Sequence, residues 1–191
     1  MHMKHILPIL TLTTLAAAAS AQAAAPAGLS YNRVGVSRIT TQTTLSADFL
    51  VGGNVLISAV AGNSATSHGE DNIRLGLGYV FKNVAAGIDA TVGLTAGLGY
   101  NEDNYASSVY RVNLRRSLSD FAPGLEAAVS YNTTGSNDKY AEISQAYNVY
   151  ASSYWNVELS YAVTKQFSVA LGRISPKDNS ALTVYSVRYS F

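Results

Sequence analysis

Asn72-Ile73-Arg74-Leu75-Gly76-Leu77-Gly78-Tyr79-Val80-Phe81 alternates with a period of two. In an extended chain Ile73, Leu75, Leu77, Tyr79 and Phe81 share one face, and Asn72, Arg74, Gly76 and Gly78 share the other. Only Val80 is out of step. A helix would mix the two sets on every side, so the stretch reads as a strand with one apolar face.

The same rhythm extends in both directions. After the link Lys82-Asn83-Val84 it runs from Ala86 to Tyr100, with Ile88, Val92, Leu94 and Leu98 against Asp89, Thr91, Gly93, Thr95 and Gly97. It recurs over Leu29 to Ile39, Thr43 to Val51 and Val55 to Ala61, then over Ser107 to Leu118 and Leu125 to Thr133. Three more segments follow: one centred on Trp155 to Val163, then Phe167 to Ile174, then a closing strand that ends Tyr185-Ser-Val-Arg-Tyr-Ser-Phe191. Turn-like clusters such as Gly52-Gly53-Asn54 and Thr164-Lys165-Gln166 separate them. Ten strands result. Eight is the alternative if the weak second and third segments, or the long stretch from Tyr147 to Val163, are read otherwise. Short links gather at one end, and longer polar loops near Asn63, Asn101, Gly135 and Pro176 gather mostly at the other.

Alternation alone does not say which way the apolar face points; composition does. Charged residues make up 13% of the chain, against about 25% in a soluble domain. The polar face carries mainly Gly, Ser, Thr, Asn and Ala with isolated charges, which suits the inside of a narrow tube better than a wetted surface. Tyr79, Phe81, Phe121, Tyr161, Phe167, Tyr189 and Phe191 fall near the short-turn end. Tyr100, Tyr105, Tyr131, Tyr147 and Tyr150 fall near the long-loop end. Two aromatic belts at the two headgroup levels are therefore expected. The expected fold is all-β: a closed antiparallel up-and-down transmembrane β-barrel.

Residues 1–23 read as a signal peptide: Lys4, an apolar run from Ile6 to Ala19, then small residues with two A-x-A sites, the cut falling after Ala21 or Ala23. Residues 24–191 form the barrel domain. Beyond the signal, no apolar run reaches the ~18 residues of a membrane helix. The chain has no Cys, which excludes a disulfide framework and a lipid-anchored Cys. With 13 Lys+Arg, one of them Lys4, and 12 Asp+Glu, formal charge is near zero, and nothing points to nucleic acid.

The closing strand with its final Phe191, the opening Leu29-Ser30-Tyr31-Asn32 and Arg74-Leu75-Gly76-Leu77-Gly78-Tyr79 resemble strands of small Gram-negative outer-membrane β-barrel proteins, OmpA/OmpX-like or ten-strand and porin-like. The resemblance covers residues 24–191. It implies the bacterial outer membrane as location, outer-membrane lipid as surroundings, and the barrel-assembly machinery as a partner that reads Tyr189 and Phe191. It does not imply one activity, because such barrels serve as anchors, adhesins, pores or lipid enzymes.

His68, beside Ser64, Ser67, Glu70 and Asp71, crowds with them onto one loop, and a working triad needs rigid supports, so no catalytic residue is assigned. The acidic pairs Glu70-Asp71 and Glu102-Asp103, with Asp138, Glu142 and Asp178, lack the spacing of a cation loop, and no metal or cofactor is assigned. The inward set is more informative. Asp48, Asp89, Glu126 and Glu158 face Arg74, Arg111, Arg115 and Arg188, which predicts an ion-pair network inside the tube. Arg116 and Arg173 have outward parity near strand ends, and Arg173 is a candidate for lipopolysaccharide phosphate. The expected protein is a monomeric, non-enzymatic barrel with a structural or surface-interaction role. A narrow passive pore is the alternative, and a secreted soluble β-domain that binds a partner is the third reading.

Overall fold

The computed structural model of the protein describes residues 29–39, 42–63, 71–97, 108–133, 142–144, 149–150, 153–177 and 179–191. In chain order its strands are β1 (Arg33–Ile39), β2 (Gln42–Val51), β3 (Val55–Asn63), β4 (Asp71–Ala85), β5 (Ile88–Gly97) and β6 (Ser108–Ser117). These are followed by β7 (Leu125–Thr133), β8 (Glu142–Ser144), β9 (Val149–Tyr150), β10 (Ser153–Ala162), β11 (Phe167–Pro176) and β12 (Leu182–Ser190). All but β8 and β9 close into one barrel of ten strands, ordered β1-β12-β11-β10-β7-β6-β5-β4-β3-β2, every neighbour antiparallel. β8 and β9 pair only with each other, within the connection from β7 to β10. No described segment is a helix.

Each barrel strand is bonded to its predecessor and its successor, and β12 to β1 completes the circle, so the barrel itself has no free strand edge. The tight turn after β2 is made by Gly53 and Asn54, both at φ 68, a left-handed conformation that glycine adopts without strain and asparagine tolerates. Two expectations about strand ends need correction. β4 runs on to Ala85 through Lys82, Asn83 and Val84, with a register shift between Phe81 and Ala85, where the sequence suggested a plain link. The extra residues are pinned because Asn83 N donates to Asp89 Oδ1 at 2.8 Å and Asn83 Oδ1 accepts from Gly87 N at 2.9 Å. At the other end, β1 begins at Arg33 rather than Leu29, because the preceding residues turn into the barrel. The expected signal peptide over residues 1–23, the His68 loop, Tyr100, Tyr105 and Tyr147, and the acids Glu70, Glu102, Asp103, Asp138 and Asp178 lie outside the described residues; so do the side chains of Asp71, Glu142 and Tyr150.

The wall is apolar on its outer side. Leu77 (63% exposed), Leu171 (54%) and Val187 (53%) project from it, while Arg115, Thr91, Ser130, Asn132 and Ser186 are buried inside. A water-soluble domain puts these classes the other way round, since each exposed Leu or Val forfeits about 1.5–3 kcal/mol of burial. From Ile73 to Phe81 the outward face of β4 is wholly apolar. At about 3.4 Å per residue and a tilt of about 40°, that face is roughly 21 Å tall, near the ~25 Å band of membrane barrels. Ring pairs mark both ends. Phe49–Phe191 (5.6 Å), Tyr79–Phe81 (4.8 Å) and Phe167–Tyr189 (5.1 Å) lie at the short-turn end, and Tyr131–Trp155 (4.9 Å) lies at the other. Val80, out of step in sequence, faces inward and is fully buried, with its N–H donating to Asn54 O at 2.9 Å.

Gly76 shows how closely the inner wall is fitted. A Cβ there would stand 2.2 Å from Ser58 Oγ and 2.7 Å from Thr95 Cγ2. Gly76→Val is therefore expected to cost about 1–3 kcal/mol, read as a lower denaturant midpoint in micelles. An unchanged midpoint would show that β3 and β5 yield freely.

Candidate functional site

Inward parity brings side chains from all ten strands into one lumen, which divides into three levels. Toward the long-loop end Ile39, Val109, Tyr154, Ile174 and Val184 form a buried apolar cluster with Leu182 against it. Each sits near the outer end of its strand, so together they narrow the lumen there. Below the cluster lies a cavity of about 170 Å³. Its charged lining is Arg33, Arg74, Arg111, Arg115 and Arg188 with Asp48 and Glu158, and Asn113, Asn132, Asn156 and several hydroxyls complete it. Positive charge predominates on this wall.

Three ion pairs organise the lumen. Arg33 Nε meets Asp48 Oδ2 at 3.0 Å between the adjacent strands β1 and β2. Arg115 Nε meets Glu126 Oε1 at 2.7 Å between β6 and β7. Arg188 on β12 grips Glu158 on β10 with both terminal nitrogens, reaching across β11. That reach is possible because Gly172 and Ala170 leave the inner face of β11 low. Arg111 is different: its Nε donates to Asn132 Oδ1 at 3.0 Å, and among the described residues no carboxylate lies within 4.0 Å of it. A guanidinium held by a neutral amide is oriented without being neutralised by its partner.

The short-turn end is occupied by the residues that precede β1. Tyr31, only 7% exposed, lies across the lower mouth. Its hydroxyl donates to Asp89 Oδ2 at 2.6 Å, and Arg115 Cζ stands 4.7 Å from the centre of its ring. Burial first, and then the bond to Asp89, raise the phenol above its ordinary pKa, so it remains a donor. Arg115 Nη2 donates to Ser30 O at 3.0 Å. Asn32 Oδ1 accepts from Leu50 N at 2.7 Å, and Asn32 O accepts from Phe191 N at 3.1 Å. The segment is thus tied to β2, β5, β6 and the residue after β12.

Of the eight lumen residues taken from sequence, Arg115 and Glu126 meet directly, as do Arg188 and Glu158. Asp89 serves Tyr31, and Asp48 serves Arg33, a residue outside the sequence-derived set. Arg74 is buried on the cavity wall. The signal for Arg33 was present in the parity of β1, since Arg33, Gly35 and Ser37 share one side and Val34, Val36 and Arg38 the other. On the outside, Tyr110, Trp155 and Tyr185 join Tyr131 toward the long-loop end.

No protein-family model matches the chain, and a search of curated proteins finds no match. Among solved structures it is similar in fold to the KdgM porin (13% identity, TM-score 0.49, covering 83% of this chain and 98% of that one). It is also similar to the NanC porin (12%, TM-score 0.47, covering 83% and 97%) and to Omp33 of Acinetobacter baumannii (11%, TM-score 0.39, covering 85% and 73%). These likenesses concern the fold, and the reading of the site rests on its own geometry.

Proposed function

We propose that the chain is an outer-membrane β-barrel that works as a narrow passive pore for small solutes, favours anions and performs no catalytic step. The observation that carries this reading is the arginine-lined cavity inside a closed wall whose outer face suits hydrocarbon. The ion pairs are drawn to the wall and leave space between them. That space is why a solely structural or surface-interaction barrel, the first expectation from sequence, gives way to the pore. Rings of side-chain charge set ion preference where low-dielectric walls focus the field. Five arginines facing two carboxylates on the cavity wall favour negative solutes.

Two features limit flow: the apolar cluster above and Tyr31 below. Unit conductance is accordingly expected to be small, and they give the anchor reading its remaining support. Closure of the wall leaves no barrel strand in need of a partner chain, which suits a monomer.

Reversal potential in planar bilayers under a salt gradient tests the proposal. The wild type is expected to pass anions several-fold better than cations, and Arg74→Gln/Arg111→Gln is expected to bring the ratio toward one. Cation preference in the wild type, or a ratio untouched by the double substitution, would overturn the assignment.

A further inference from the structure

An arginine facing outward from such a wall costs about 2–4 kcal/mol at the bilayer centre and little at the headgroup level. Among the described side chains between the two aromatic levels, those with outward parity and charge are Arg38, Arg116 and Arg173, and none is acidic. Arg116 stands toward the short-turn end. Arg38 and Arg173 stand toward the other end, both exposed, on the two strands that flank β12.

Register places them as a pair. Arg38 lies opposite Tyr185, and Arg173 lies opposite Thr183, two positions away on the same face of β12. Two strand spacings of about 4.8 Å and two residue rises of about 3.4 Å put the two Cα atoms roughly 12 Å apart, within the combined reach of two arginine side chains. Tyr185 is 64% exposed between them, so its hydroxyl and that of Thr183 are further donors on the same patch. The ring also carries the apolar surface up to the charged level, as aromatic residues do at a membrane interface.

The geometry points to a binding site for the phosphate of a phosphorylated glycolipid, of the lipopolysaccharide type, in the outer leaflet. Arg38 and Arg173 hold its oxygens from two sides and Thr183 and Tyr185 donate between them. Planar guanidinium groups match phosphate oxygens two at a time, which gives such pairs geometric specificity as well as charge. Among the described residues no outward carboxylate stands on β10, β11, β12, β1 or β2 to compete for the two guanidinium groups. The inference rests on the outer-membrane reading above.

Native mass spectrometry of the detergent-solubilised barrel, titrated with bisphosphorylated lipid A, dephosphorylated lipid A or phosphatidylglycerol, tests it. The wild type is expected to retain bisphosphorylated lipid A at least tenfold more tightly than either other lipid. Arg38→Gln/Arg173→Gln is expected to lose that margin, Arg38→Lys/Arg173→Lys to keep part of it, and Arg116→Gln to keep all of it. Equal binding by the wild type and the Gln double variant overturns the site. Equal retention of phosphatidylglycerol overturns the glycolipid assignment, and equal retention of the dephosphorylated lipid overturns the role of phosphate. Failure of the wild type to partition into membranes at all is a separate result, which removes the outer-membrane reading itself.

Discussion

Arg115→Ala is expected to destabilise the folded barrel by about 3–5 kcal/mol, the range found when one partner of a buried ion pair is removed. The Arg115 side chain is 3% exposed and that of its partner Glu126 is 18% exposed, so the carboxylate left behind has little water to turn to. The same arginine holds Ser30 O at 3.0 Å and covers the Tyr31 ring at 4.7 Å, so the substitution also releases the lower segment. Urea unfolding of the barrel in lipid vesicles, followed by tryptophan fluorescence from Trp155, measures the loss. Arg115→Lys is expected to recover part of it, because an ammonium can meet Glu126 without also reaching Ser30 in the same fork. A loss below about 1 kcal/mol would mean that lumen water screens these charges as at an open surface.

Tyr31→Ala is expected to raise unit conductance several-fold while leaving the barrel folded. The ring lies across the lower mouth, so its removal widens the path where the structure is narrow. The energetic cost is modest, about one hydrogen bond or ~1 kcal/mol plus the ring contact with Arg115. Asp89 keeps a partner, since its other oxygen accepts from Asn83 N at 2.8 Å. Tyr31→Phe separates steric closure from latching. It retains the ring but not the bond to Asp89, so more frequent openings at wild-type amplitude are expected. Single-channel recording distinguishes the two variants. Conductance unchanged in Tyr31→Ala would place the narrowest point at the apolar cluster of Ile39, Val109, Tyr154, Ile174 and Val184 instead.

The fold was legible because a membrane barrel writes one instruction many times. Asn72 to Phe81 already states it, and strands such as β10 and β12 repeat it with the same phase. The outward sense was legible too, because Gly76, Gly78, Gly93 and the serines of β3 and β12 suit the inside of a narrow tube better than a wetted surface, which would carry more charge. What sequence conveyed less well is lateral geometry. Parity puts Glu158 and Arg188 on the inside, but only the low inner face of β11 makes them partners across an intervening strand. Asp89 illustrates the same limit: its neighbour in strand order is Arg115, yet its carboxylate is taken by Tyr31 and by the bulge at Asn83. The entry of Tyr31 was missed because Leu29 to Ile39 reads as one uninterrupted strand. The chain leaves the sheet before Arg33 to satisfy groups inside, a tertiary gain that period-2 patterning does not encode.

A pore of this kind requires that apolar side chains meet lipid while a watered, cation-rich lumen runs behind them. A chain without cysteine permits its most direct test. Leu77→Cys, outward on β4, and Asn113→Cys, on the cavity wall, each labelled with an environment-sensitive fluorophore after reconstitution, are exposed to a lipid-borne and to a small water-soluble quencher. The probe at position 77 is expected to answer only to the lipid-borne quencher and the probe at position 113 only to the soluble one. The reverse pattern, or a probe at position 113 that neither quencher reaches, would contradict it.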